Sequence, residues 1–349
     1  MNKLRWGILS TAAIARENWR AIRDSGDSVV TAVASRDAMR SRKFIDDCQR
    51  EAPAATTPAA LGSYEALLAS REVDAVYIPL PTGLRKEWVL RAAAAGKHVL
   101  CEKPCGLSVA DVREMTEACQ KNRVQFMDGV MFMHNPRLPR LRELLDDGKT
   151  IGPIRRIMSV FSFGNDEAFF DANIRVHSAL EPTGCLGDLG WYCIRFALWA
   201  MNWTLPREVT SKILSVRANR LSPSAVPADF FRRIDFRRRP VIGILLQLPR
   251  PNAELGPRGR RQWLSPPARF CFSRQHPRAF LRGQRGRRAG QGLRLRLPTH
   301  RQPRPGPGLA NVPQLRPSGC LWKTQRRLAD VGFENAAGHG CLPRFRPAQ

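Results

Sequence analysis

Three side chains, Lys103, Asp188 and Tyr192, stand in settings where they could do chemistry. Lys103 follows a short apolar strand read over residues 98–101, and a proline comes next. In an open α/β sheet, ligands bind beyond the carboxyl ends of the strands, so a lysine there faces the place where cofactor and substrate meet. Pro104 fixes its own φ and steers Lys103 away from the helical region, which holds the lysine extended. Glu102 and Lys103 also fit a plainer description as solvated residues at a strand end. Asp188 and Tyr192 lie four apart in the run 184–196, whose apolar spacing predicts one helix beginning near Leu186 with both residues on one face. A first-turn aspartate there also fits a dipole partner or cap, and a tyrosine on a buried face also fits packing. His134, shortly after Asp128-Gly129, is a lone histidine of the kind that is more often a satisfied loop residue than a base.

Such residues need a scaffold, and the first 150 residues supply one by alternating strand and helix. Residues 4–9 read as a strand, and the small residues Ser10 to Ala15 open a helix that continues to about Ser25. The dinucleotide-binding pattern G-x-G-x-x-G falls on Ser10, Ala12 and Ala15, so each glycine is replaced by a small residue. Ser10, Thr11, Ala12 and Ile14 are the candidate pyrophosphate contacts, because a helix amino terminus offers N–H groups and the positive end of a dipole. A second strand over 29–34 ends in Ser35-Arg36, where NAD calls for an acid. A serine and an arginine, with Arg40 one turn on, suit the extra phosphate of NADP, although Asp37 is adjacent.

After a helix to Arg50, a loop over 52–60 and a short helix at 64–68, the strand 73–78 runs into Pro79-Leu80-Pro81-Thr82. That uncharged edge is expected to lie beside the dinucleotide, with Glu102 and Lys103 nearby. A helix over 84–95, the Lys103 strand, a helix over 108–122 and a strand over 125–127 complete a doubly wound parallel sheet. A strand over 154–163, alternating Ile157, Ser159, Phe161 and Phe163, belongs to a different sheet.

Charge divides the chain. The net charge is +27, yet residues 1–235 hold 33 Lys and Arg against 27 Asp and Glu, while residues 236–349 hold 24 against 3. The excess in the last third is arginine with Lys323 as the sole lysine, and no acid occurs between Glu254 and Asp330. Folded domains mix both signs on their surfaces, and this segment does not. Nine cysteines without a C-x-x-C pair or a secretory leader read as reduced thiols of a cytoplasmic protein. Cys101 and Cys105 read as packing residues, and no metal site is expected. No apolar run reaches the roughly 18 residues of a membrane span. The chain enters a strand directly after Met1-Asn2-Lys3, which leaves no room for a targeting peptide.

The combined pattern resembles the glucose-fructose oxidoreductase/inositol dehydrogenase family, in the branch that includes dimeric dihydrodiol dehydrogenases and xylose dehydrogenases. The resemblance is carried by Trp6-Gly7-Ile8-Leu9, Ala34-Ser35-Arg36, the runs 77–82 and 96–104, and Gly187-Asp188-Leu189-Gly190-Trp191-Tyr192, in order and spacing over about residues 4–230. It implies an α/β chain with a Rossmann NAD(P)-binding domain over 1–135. An α+β substrate and dimerisation domain with an open sheet would begin over 136–230. Lys103 matches the family's catalytic lysine, Asp188 the aspartate of its second motif, and Tyr192 stands where this branch has a catalytic tyrosine and other branches a histidine. Ser10 departs from the family's usual glycine. The implied enzyme prefers NADP, with NAD as the alternative, and acts on a small-molecule sugar or related alcohol or carbonyl compound. In that scheme Tyr192 takes the hydroxyl proton as a phenolate, and Lys103 is the cation that a phenol with a pKa near 10 needs at neutral pH. His134 and His177 are the next candidates for the acid or base.

From about Phe231 the resemblance stops, and residues 231–349 become rich in arginine, proline and glycine. One reading is a gene read in a shifted frame; the other is a disordered basic arm that would make the chain a polyanion- or nucleic-acid-binding protein on a Rossmann scaffold. The shifted frame is preferred because the match breaks off at one point without a linker. On that reading nucleic acid is not an expected partner, the open sheet is incomplete, and strands with period-two alternation are absent from 231–320. The homo-oligomer that the family implies is then in question, since its surface lies in the altered segment.

Overall fold

The computed structural model describes residues 3–162, 168–236 and 241–247, together with strands at 269–273 and 278–281. Its first half alternates β1 (Leu4–Leu9), α1 (Ala15–Asp24), β2 (Ser28–Ala34), α2 (Ala38–Glu51), β3 (Ala59–Leu61), α3 (Tyr64–Ala69), β4 (Ala75–Ile78), α4 (Thr82–Ala94), β5 (His98–Cys101), α5 (Val109–Lys121) and β6 (Phe126–Asp128). The six strands form a sheet in the order β3-β2-β1-β4-β5-β6, all parallel. Successive side chains of a strand point to opposite faces. Trp6, Ile8, Val33 and Tyr77 accordingly pack with Trp19, Phe44 and Ile45 of α1 and α2. Leu9, Ala34, Val76, Ile78 and Cys101 pack with Leu67, Trp88, Val89 and Met115 on the other side. The strand order reverses between β1 and β4, and a crevice for ligands opens at such a point beyond the strand ends.

The second half contains α6 (Arg137–Asp146), β7 (Arg156–Ser162), α7 (Ala168–Ala172), α8 (Gly184–Asp188), α9 (Gly190–Ala200), β8 (Glu208–Arg217), β9 (Val226–Asp235), β10 (Val241–Gln247), β11 (Arg269–Ser273) and β12 (Arg278–Leu281). The strands form a mixed sheet in the order β12-β11-β7-β10-β9-β8, with β10 parallel to β7 and the other pairs antiparallel. Ile157, Phe230, Ile234, Ile242, Ile244 and Leu246 meet Cys193, Phe196 and Ala197 of α9 in one core. No helix among the described residues is long and apolar enough to cross a membrane.

Four expectations need correction. β3 lies partly in the stretch expected as a loop; three residues are too few for a period to show. The helix expected from Ser10 onward begins at Ala15, because Ser10 has φ +144° and Ala12 to Ile14 form a turn. The single helix expected from Leu186 is two, interrupted at Leu189, so Asp188 ends α8 and Tyr192 lies in the first turn of α9. Gly190, which opens α9, runs so close to β10 that a Cβ would lie 2.9 Å from Leu246 Cδ1.

The fourth correction concerns the break at Phe231. β9 continues through Asp235 and β10 follows, with Ile234, Ile242, Ile244 and Leu246 buried at period two. The alternation was hidden by arginines on either side of it. Arg232 turns toward the core face and lays its guanidinium 5.4 Å from the centroid of the Phe230 ring, which lets a charged residue sit in the strand. Both readings of the tail otherwise rest on residues 248–268, 274–277 and 282–349, which lie outside the described residues.

Candidate active site

β5 runs buried as far as Cys101 and then delivers Glu102 and Lys103 into the crevice, with the Lys103–Pro104 peptide bond cis. Glu102 is fixed from behind, its Oε1 accepting from the buried Tyr77 hydroxyl at 2.7 Å and its Oε2 from the Lys103 N–H at 3.2 Å. Lys103 Nζ donates to Asp188 Oδ1 at 2.8 Å and to the Asp188 carbonyl at 2.9 Å, and it lies 4.7 Å from the centroid of the Tyr192 ring. The three candidate residues are therefore brought together, from opposite halves of the chain. The approach needs glycine at 187, because a Cβ there would run into Thr183 Oγ1 and lie 3.3 Å from Pro104 Cγ.

The charges are held in place by one another. Lys103 and Asp188 side chains are 12% and 13% exposed, and the second carboxylate oxygen accepts from Arg175 Nε at 2.7 Å. Burial opposes the Asp188 charge, but Lys103 and Arg175 outweigh it and hold the carboxyl at about 2. Burial likewise opposes the Lys103 ammonium, and Asp188, Tyr192 and Glu102 outweigh that, so its pKa is raised. Tyr192 goes the other way from the expected scheme. Burial pushes its phenol above the usual value, Glu102 and Asp188 add to that, and Lys103 opposes it without prevailing. This setting by itself favours the neutral phenol over the expected phenolate. Phe132 and Phe161 pack on its ring with centroids 6.1 and 5.5 Å away, which explains the burial.

At the cofactor end the expected contacts divide. Thr11, Ala12, Ala13 and Ile14 are at least partly exposed ahead of α1. The first N–H groups of α1, at Ala15, Arg16 and Glu17, donate to the carbonyls of Ala12, Ala13 and Ile14. What this turn offers a pyrophosphate is therefore its own exposed backbone at the positive end of the helix dipole. Ser10 is nearly buried, and its Oγ accepts from the Ala12 N–H at 2.9 Å. Arg36 and Arg40 are exposed past the end of β2, and Asp37 is occupied as the amino-terminal cap of α2, accepting from the Met39 N–H. Ser35 is corrected: it is buried, donates to the Asp37 carbonyl and accepts from Ser41, so it shapes the loop rather than facing a ligand. Pro79 and Leu80 are buried and Pro81 is half-buried. Thr82 is also corrected, because it is 2% exposed and its hydroxyl donates to Glu181.

The other polar candidates are accounted for locally. Cys101 and Cys105 are buried free thiols. His134 is half-buried, with its pKa lowered by desolvation, and it sits near the ion pair between Asp128 and Arg195 that also joins the two halves. His177 Nδ1 accepts from the Ala179 N–H at 3.3 Å. Arg175 and Glu181 went unnoticed in the sequence, where each is a single charge in a connecting stretch without a local partner.

Residues 4–130 match the Gfo/Idh/MocA family, an oxidoreductase family with an NAD-binding Rossmann fold. They belong to it. Among curated relatives, "D-xylose 1-dehydrogenase (NADP(+)) 2" of Haloferax volcanii is 35% identical over 194 residues, 56% of this chain and 56% of that protein. "Trans-1,2-dihydrobenzene-1,2-diol dehydrogenase" of Mus musculus is 34% identical over 210 residues, 60% of this chain and 59% of that protein. The chain therefore spans little more than half the length of these relatives. A crystal structure of KijD10, a 3-ketoreductase from Actinomadura kijaniata in complex with NADP and TDP-benzene, is 26% identical with a TM-score of 0.60, covering 80% of this chain and 84% of that one. The Lys103 loop lies within the matched residues, and Asp188 and Tyr192 lie beyond them.

Proposed function

We propose that this chain is an NADP-preferring oxidoreductase that moves a hydride between the nicotinamide and a sugar or related alcohol or carbonyl compound. One observation carries the reading: at the ligand crevice of an NAD-binding fold, Lys103 Nζ is held between Asp188 and the face of Tyr192. When bound, the nicotinamide supplies or accepts the hydride. The protein's own part is the proton. A phenol kept neutral by burial is suited to donate to a carbonyl oxygen that gains negative charge, and the same group takes the proton back in the reverse direction. Lys103 stays an ammonium and stabilises whichever oxygen carries that charge, while Asp188, ionised to low pH, fixes where the ammonium points. The xylose and dihydrodiol dehydrogenases and the ketoreductase named above support the substrate class.

Cofactor preference rests on Arg36 and Arg40, which stand exposed where the extra phosphate would lie. Nicotinamide fluorescence should show NADPH binding more tightly than NADH. Arg36→Asp should weaken NADPH by about ten- to a hundredfold, as a charge-assisted pair becomes a repulsion, and leave NADH within about twofold. Equal weakening of both would remove the preference. A panel of sugars and ketosugars followed by nicotinamide absorbance tests the reaction itself, and no turnover on any of them would reject it.

A further inference from the structure

Glu181 and Asp188 lie seven apart in one stretch of the second half, and each reaches the first half beside Pro104. Asp188 takes Lys103. Glu181 is buried, and its Oε1 accepts from the Thr82 N–H at 3.0 Å while its Oε2 accepts from the Thr82 hydroxyl at 2.5 Å. This carboxylate caps α4 from outside. Pro81, at the cap position, has no side-chain hydrogen bond to give, and the next N–H, that of Gly83, goes to the Leu180 carbonyl at 2.9 Å. The fit is close enough that a Cβ on Gly83 would lie 2.5 Å from the Ala179 oxygen. A negative group at a helix amino terminus meets orphan N–H donors and the positive end of the dipole, so burial of this carboxylate is compensated.

The network continues to the Lys103 loop. Thr82 Oγ1 accepts from Arg85 Nη1 at 3.0 Å, and the buried Arg85 also donates to the carbonyls of Leu80 and Pro104. Arg175, hydrogen-bonded to Asp188, also feels the Glu181 charge. Two routes thus join Glu181 to the cluster, one through Thr82, Arg85 and Pro104 and one through Arg175. We propose that Glu181 is a positioning residue that sets Lys103 against Asp188 and Tyr192 by clamping the start of α4 to the stretch that carries Asp188. The proposal deepens the proposed reaction, because it concerns the register of that same site.

The chain has only three tyrosines, Tyr64, Tyr77 and Tyr192, which makes Tyr192 readable without substrate or cofactor. The charged groups around it are Lys103, Glu102, Asp188 and Arg175. In full-length protein labelled with 13C at the tyrosine ring, Glu181→Gln should shift the Tyr192 resonance and raise its titration midpoint by about half a pH unit or more, because Lys103 no longer stabilises the phenolate as well. Tyr64 should not move. Where turnover is measurable, kcat should fall about tenfold with NADPH affinity unchanged within about twofold, as expected for lost alignment. Thr82→Val should reproduce these effects, and Thr82→Ser, which keeps both donors, should restore wild-type behaviour.

An unchanged Tyr192 titration in Glu181→Gln and Thr82→Val, whatever happens to thermal stability, would reduce Glu181 to a structural cap and overturn the proposal. A loss of NADPH affinity in proportion to kcat would overturn it too. A wild-type chain without turnover but with the expected Tyr192 shift would support the clamp while rejecting the reaction.

Discussion

The two sheets of this protein are covered differently, and the difference explains where the chemistry sits. The parallel sheet carries a core on each face, so its side chains are committed to packing and only the strand ends are open. Among the described residues the mixed sheet is covered on the face toward α6, α8 and α9, and leaves Met158 and Phe231 exposed. Its helices stand between its own core and the other half of the molecule. They therefore project Asp188 and Tyr192 across the junction, where the open end of β5 presents Lys103. A sheet buried on both sides offers loops, and a sheet buried on one side offers helices.

The strongest way to break this arrangement is to remove either partner at the junction. Tyr192→Phe and Lys103→Met should each lower turnover by about 10²- to 10⁴-fold, the usual share of a positioned acid or base. NADPH affinity, read by fluorescence, should stay within about twofold, since neither side chain is needed to hold the dinucleotide. Full turnover in Tyr192→Phe would move the proton elsewhere, and His134, half-buried and with a lowered pKa, would be tested next.

The ion pairs across the junction predict a pH dependence of stability. The Asp188 carboxyl is held at about 2 in the folded protein, below the roughly 3.9 of an unfolded chain. A depressed folded value means that the contribution is fully present above the unfolded pKa and is lost as pH falls from about 4 toward 2. By linkage its size is on the order of 2 kcal/mol. Asp188→Asn should be less stable than wild type near neutral pH by about 3 kcal/mol, because Lys103 and Arg175 are left facing a neutral amide. The gap in urea midpoints between the two proteins should narrow by about half of the Asp188 contribution from pH 6 to pH 3. A gap that stays constant with pH would mean that Asp188 acts through shape rather than charge.

Two neighbouring residues of β10 sharpen the contrast between covered and uncovered faces. Ile244 is buried against the helices, whereas Leu245 is half-buried on the other side of the strand. Ile244→Ala should cost about 2–4 kcal/mol and Leu245→Ala about 1 kcal/mol or less in urea unfolding. Equal small costs would show that the sheet contributes little stability beyond Phe230.

The same contrast decided what could be read in the sequence. Strands buried on both faces appear as continuous apolar runs, and β1, β2, β4 and β5 were found within a residue or two. β10 has a clean alternation at Ile242, Ile244 and Leu246, but it is seven residues long and lies among arginines and prolines that dominate any wider window. Ser35 and Thr82 have the right type to touch a ligand, and small hydroxyl residues are equally suited to satisfying buried polar groups, which is what they do. Lys103, Asp188 and Tyr192 were legible through motif order. Glu181 was not, because its partner Thr82 lies 99 residues away and no local spacing encodes such a pair.

The smallest expected effect is at Ser10, where the parallel sheet meets the cofactor. A φ of +144° at a residue with a Cβ belongs to backbone that favours glycine, and such positions cost on the order of 1–3 kcal/mol. The Ser10 hydroxyl offsets part of that by accepting from the Ala12 N–H. Ser10→Gly relieves the strain, removes that hydrogen bond and makes the unfolded chain more flexible, which costs about 0.4–1 kcal/mol. The opposing terms should leave stability within about 1 kcal/mol of wild type. Affinity should respond in one direction, because the Ala12 N–H is released at a turn suited to a pyrophosphate, and NADPH should bind about two- to fivefold more tightly. A weaker complex would show that the serine hydroxyl itself serves the dinucleotide, and that the substitution for glycine at this position is an adaptation of the turn rather than a strain it tolerates.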